Sequence, residues 1–274
     1  SLDFFFFFDL QYDIIDMYLN GNSINITQAE ELLKAELPQI NGNFDFQGDI
    51  TGNIIDPVIK LDLTMADGKI SSQRFDTLSA DLRINRNNLV ISEFNLGIDK
   101  SRFEGSGFIE MDSESPYISA ELSADNLAYS YINDITGYSL PIQGSIKADL
   151  DIDGSLNAPD VSGTVTSKDT GISIRNKDYN IDKLFLSFDW QKDSPLMVEN
   201  LAIYKNGTDL NASGRLENRE LDLDFSVSRF NLEKFPVTED ITAFVDLEGK
   251  IKGDLTSPKV NADFFNDRRL KALN

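Results

Sequence analysis

The stretch Ile146-Lys147-Ala148-Asp149-Leu150-Asp151-Ile152-Asp153-Gly154-Ser155-Leu156-Asn157-Ala158-Pro159 decides the fold class. Its first half alternates apolar and polar residues with period two, which gives a strand one apolar face and one wet face. Its second half, Gly-x-(Leu/Ile)-x-x-Pro, is a turn: glycine tolerates left-handed backbone, while proline blocks further ladder pairing and fixes the next strand's entry. The same pair of features occurs twice more. Gly52-Asn53-Ile54-Ile55-Asp56-Pro57 follows an alternating stretch at 42–50, and Gly253-Asp254-Leu255-Thr256-Ser257-Pro258 follows one at 241–251. The three glycines are separated by 102 and 99 residues. A second marker, Phe103-Glu104-Gly105-Ser106-Gly107, resembles Leu210-Asn211-Ala212-Ser213-Gly214, 107 residues later.

The chain therefore reads as one continuous array of units about a hundred residues long. The turns divide it into a partial unit at 1–57, repeat units at 58–159 and 160–258, and the start of a further unit at 259–274. It begins Ser1-Leu2 without a Met, so it reads as a mature product or a fragment of a longer protein.

Alternation extends through most of the sequence. Phe44, Phe46 and Ile50 alternate with polar residues, as do Ile59, Leu61, Leu63 and Met65. The pattern holds at Leu78–Ile84, Ile118–Ala124, Leu184–Trp190 and Leu221–Val227. Asp67-Gly68, Asn87-Asn88 and Asn206-Gly207 read as hairpin turns between such strands. Two short helices are expected: Thr27-Gln28-Ala29-Glu30 opens a capping box closed by Pro38, and a second runs from about Ala128 to Thr136 before Gly137. The predicted fold is all-β: long antiparallel sheets, either curled into an open trough or built into an elongated repeat, with one or two short helices.

Composition narrows the function. Acidic residues number 46 against 25 basic ones, a net charge of -21. A surface that acidic repels phosphate backbones, so nucleic acid is not an expected partner, and it keeps a chain with exposed apolar surface soluble. With no Cys and no His, thiol chemistry, disulfides and the commonest zinc ligand and general base are absent. The longest apolar run, Phe4 to Phe8, falls far short of a spanning helix and reads as a buried strand.

Asp149-x-Asp151-x-Asp153-Gly154 imitates a calcium loop, with Asn157 and Asp160 beyond. The repeat argues against that reading. The equivalent positions elsewhere are Gln47, Asp49 and Thr51, and Glu248, Lys250 and Lys252, so glycine, Leu/Ile and proline recur while the carboxylates do not. A solvated strand face is the better account, and no metal or cofactor is expected. No nucleophile elbow or phosphate loop appears and triads needing His are excluded, so the chain is not expected to be an enzyme. A carboxylate-based glycosidase on a β-scaffold is the residual enzymatic reading.

Gly154-Ser155-Leu156-Asn157-Ala158-Pro159-Asp160-Val161-Ser162-Gly163-Thr164-Val165, together with Ser106-Gly107-Phe108-Ile109 and Ser213-Gly214-Arg215-Leu216, resembles the TamB/AsmA-like family of bacterial envelope proteins. The likeness covers about 40–265, and the long unit with its Pro-ended turns looks more like TamB than like other AsmA-like proteins. The resemblance implies a taco-like trough with an apolar interior. It also implies a bridge across the periplasm of a Gram-negative bacterium, anchored to the inner membrane by a segment not present here. The cargo and partners implied are phospholipid or another acyl-chain lipid and an outer-membrane β-barrel protein.

On that resemblance the candidate groove lining comprises Phe44, Phe46, Ile59, Leu61, Leu63, Leu82, Ile84 and Leu122 in the first part of the chain. It continues with Ile146, Leu150, Ile152, Leu184, Leu186, Phe188 and Trp190, then Leu221, Leu223, Phe225 and Val227. The alternative is a structural or adhesive β-repeat protein of the envelope, whose strands close on a packed core.

Overall fold

The computed structural model describes residues 2–9, 12–25, 40–70, 73–111, 115–130, 142–174, 177–231, 244–255 and 257–265. The chain divides into two compact units, one formed by 1–127 with 149–159 and the other by 128–148 with 160–274.

The first unit holds β1 (Leu2–Asp9), β2 (Ile14–Asn25), β3 (Ile40–Asn41), β4 (Asn43–Asn53), β5 (Asp56–Ile70), β6 (Gln73–Ile84), β7 (Asn88–Ile98), β8 (Ser101–Glu110) and β9 (Tyr117–Ala128). Every pairing among them is antiparallel. β1 pairs with β2, β2 with β4, and from β4 to β9 each strand pairs with the next. The short β3 extends the β4 side of the β5 ladder, with Ile40 opposite Ile70. The second unit holds β10 (Ile142–Gln143), β12 (Ala158–Ile174), β13 (Lys177–Gln191), β14 (Leu196–Lys205), β15 (Thr208–Glu217), β16 (Glu220–Asn231), β17 (Phe244–Asp254) and β18 (Lys259–Phe265). Its ladders run antiparallel from β12 to β18, and β10 pairs with β12 as β3 does with β5. Strand β11 (Ser145–Ser155) contributes Asp149–Ser155 to the first unit and Ser145–Ala148 to the second. The fold is all-β and antiparallel, in sheets that do not close into a barrel.

The repeat is physical. Gly52, Gly154 and Gly253 all have positive φ, at 106°, 112° and 102°, so the three Gly-to-Pro turns open on the same glycine conformation, which a side chain would strain. Contrary to expectation, Pro57 and Pro159 do not block their strands, whereas Pro258 immediately precedes β18. Pro57 and Pro159 are the second residues of β5 and β12, and Pro57 sits in register opposite Gly52. Ladder irregularities recur as well: one between Ile91 and Phe94 in β7, and its counterpart between Val198 and Leu201 in β14.

Several expectations change. The Phe4–Phe8 run, expected as a buried strand, lies in β1 with Phe5, Phe6 and Phe7 exposed. Asp67-Gly68 is not a turn but lies within β5, whose pairing with β6 runs on to Ile70 opposite Gln73. Asp67 adopts positive φ there, and the Phe75 ring covers Gly68 closely enough to leave no room for a Cβ. The capping-box helix at 27–38 lies outside the described residues. Of the second expected helix, Ala128 ends β9 instead, Tyr129 and Ser130 are helical, and the rest lies outside the described residues. Asn206-Gly207 does turn, joining β14 to β15.

Candidate apolar face

Because antiparallel partners directly opposite each other project from the same side, the registers can be followed from strand to strand. In the first unit they draw four rows of side chains running across the strands. One outer row is Ile24, Phe44, Met65, Leu78, Leu96, Phe103 and Ala124. The opposite outer row is Met17, Ile50, Ile59, Ile84, Leu89, Ile109 and Ile118. Between them run Gly21, Phe46, Leu63, Ala80, Phe94, Gly105 and Leu122, and Leu19, Gly48, Leu61, Leu82, Ile91, Gly107 and Ala120. All eight first-unit candidates from Phe44 to Leu122 fall in these rows. Leu150 and Ile152 stand on β11, where they alternate with the exposed Asp149, Asp151 and Asp153.

The second unit repeats the design. Leu184, Ile203, Leu210, Val227 and Leu247 form one row. Leu186, Leu201, Ala212, Phe225, Gly249 and Ala262 form the next, and Phe188, Val198, Gly214, Leu223, Ile251 and Val260 a third. Leu196, Leu216, Leu221 and Gly253 form a fourth, and Trp190 stands opposite Val161. Ile146, in the part of β11 belonging to this unit, is buried.

Neighbours within a row are about 5 Å apart while successive rows are about 6.7 Å apart along the strand. The apolar side chains thus form ridges across the strands. Gly21, Gly48, Gly105 and Gly107 sit in the two middle rows of the first unit, as Gly249 and Gly214 do in the second. In the first unit large side chains lie over two of them: the Phe46 ring occupies the space a Gly21 side chain would take, and the Leu122 side chain does the same at Gly105. The middle of the first unit's face is thereby levelled between two rows of larger residues.

Most of this surface is half-buried. Among the nineteen candidates only Ile146, Leu223, Phe225 and Val227 are buried, while Leu122 is 37% and Trp190 39% exposed. The buried exceptions belong to the second unit, where Ala212, Phe225 and Val227 form a cluster against Leu201, Leu210, Phe230, Leu247, Ile251 and Ala262. Sequence reasoning missed the apolar residues of β7 and β14, among them Ile91, Phe94, Val198 and Leu201. In each pair the two residues are three apart across a ladder irregularity, so period two breaks; that odd offset inside an apolar run was the available signal.

The opposite face is polar. Asp62, Asp81 and Glu93 stand in line across β5, β6 and β7. In the second unit Lys250 pairs with Asp224 at 2.7 Å and Lys252 with Asp222 at 3.1 Å. The Lys252 ammonium, by its hydrogen bond, holds the Asp222 carboxyl below its usual range, and Asp224 likewise pushes the Lys250 ammonium up. Tyr117 donates a 2.5 Å hydrogen bond to Asp153, which raises the phenol's pKa. An open depression of about 590 Å³ in the second unit is lined largely from the polar side, by Asn211, Ser213, Asp224, Glu248, Lys250 and Asp263 among others. A smaller one of about 400 Å³ in the first unit gathers Glu104, Glu121, Asp149 and Asp151. These three strand carboxylates, Asp149, Asp151 and Asp153, therefore belong to a solvated strand face, with Leu150 and Ile152 turned the other way.

Comparison with protein-family models, with curated proteins and with solved structures finds no match to this chain.

Proposed function

We propose that this chain is a segment of a periplasmic bridge in a Gram-negative envelope, whose apolar face carries the acyl chains of phospholipid. The observation that carries the reading is the set of apolar rows in the first unit, half-exposed over most of β2 to β9 with Met65 and Ala124 buried in one outer row, and with a polar face behind it. Such a surface supports an acyl chain at roughly 0.8 kcal/mol for each methylene kept from water. A levelled face offers that stabilisation with few deep traps, as movement along a conduit requires. No residue does bond chemistry in this account; the lining acts collectively. The same face suits transient shelter of an outer-membrane β-barrel strand, so barrel assembly is a companion role for the bridge, and an inner-membrane anchor would lie outside this chain.

The test is purification from bacterial envelopes followed by mass spectrometry of extracted lipid, on the native chain and on Leu61→Asp with Leu82→Asp. Both substitutions place a carboxylate in the middle of the face. Phospholipid recovered with the native chain and lost with the variant, while far-UV circular dichroism is retained, is the expected result. Native protein that returns no lipid from membranes rich in it removes the reading. The buried cluster around Phe225 favours a second reading for its own unit, a structural β-repeat with a packed core. Photo-crosslinking groups placed at Leu82 and at Leu210 separate the two: lipid adducts at both positions support the conduit throughout, and adducts at Leu82 alone assign the second unit to structure.

A further inference from the structure

We draw no further inference here: the strongest candidate, the exposed phenylalanine patch that Phe5, Phe6 and Phe7 form on both sides of β1, carries nothing because nothing in the structure shows what covers it.

Discussion

The junction of β2 with β4 in the first unit and that of β16 with β17 in the second are the same piece of architecture written with different side chains. Ile15 stands opposite Gly52 in one and Leu221 opposite Gly253 in the other. Counting along the ladders, Leu19 with Gly48 answers to Phe225 with Gly249, and Gly21 with Phe46 answers to Val227 with Leu247. Each ladder then slips, between Gly21 and Ile24 or between Val227 and Phe230. Ser23 and Arg229 take positive φ at the slip, and each backbone N–H donates to an aspartate of the partner strand, Asp45 at 2.7 Å or Asp246 at 2.9 Å. The polar side differs outright. Asp16 faces Thr51 and Tyr18 faces Asp49, where the second unit has the ion pairs Asp222–Lys252 and Asp224–Lys250. Backbone irregularities and an apolar pair at each matching place are held in common; surface charge is not.

The largest contrast is burial. Phe225 lies in the packed cluster while its counterpart Leu19 is only half-buried. Phe225→Ala should therefore cost about 3–5 kcal/mol, from lost transfer energy and a cavity, and Leu19→Ala about half as much or less. Urea unfolding followed by the fluorescence of Trp190, in the second unit, and by circular dichroism for the whole chain separates the two. Equal costs would mean the two faces are packed alike.

Volume exchange within a pair is the next test. Gly21→Val alone drives a side chain into the Phe46 ring and should destabilise by about 1–3 kcal/mol. Adding Phe46→Leu converts the pair to the Val–Leu combination that the second unit already uses, and should recover about 1 kcal/mol or more beyond additivity. Simple addition of the two single effects would show that the pairs are not interchangeable and that the Gly21 position is set by something other than the ring.

How much of this was legible beforehand follows the same division. Strands β4, β5, β6, β9, β11, β13 and β16 announce themselves through unbroken alternation; where the β6–β7 and β13–β14 ladders shift, the extra residue lies on β7 or β14, so the period on β6 and β13 survives. Strands β7 and β14 did not, since a ladder slip moves Phe94 and Leu201 to odd offsets from Ile91 and Val198 and erases period two locally. Asp67-Gly68 read as a turn because Asp-Gly favours positive φ; the positive φ is there, but β5 absorbs it mid-strand where Phe75 packs on the glycine. The repeat was visible in three glycines whose φ forbids other residues. The apolar residues of the candidate face were named strand by strand. Their arrangement into rows was not, because only the registers say which residues stand opposite one another.

The slip itself gives a smaller effect. Asp45→Ala and Asp246→Ala each leave the N–H of Ser23 or Arg229 without its carboxylate, at a cost of about 1 kcal/mol in this exposed setting. Asn at either position keeps an acceptor oxygen and should recover most of the loss. Similar costs in the two units, read from denaturant midpoints, would establish the slip as one device used twice; a cost in one unit only would show that the recurring φ is fixed by the chain's own path instead.

The smallest effect lies in the charges. Asp222 is held below the ordinary carboxylate range chiefly by its hydrogen bond from Lys252. A carboxyl whose folded pKa is depressed contributes its stabilisation above the unfolded value of about 3.9 and loses it as pH falls through the lower folded value. Lys250, raised by its hydrogen bond to Asp224, behaves oppositely: its contribution is complete below about 10.4 and disappears as pH climbs through the raised value. Lys252→Thr installs the residue that Thr51 supplies at the matching place in the first unit. It should flatten the acid limb of the stability profile below about pH 4 and leave the alkaline limb almost untouched, because the Lys250–Asp224 pair remains. Both limbs should shrink in high salt, since these side chains stand largely in solvent. An acid limb that survives Lys252→Thr unchanged would place the linkage on other carboxylates, and the ion pairs would then be a difference between the units without a thermodynamic consequence.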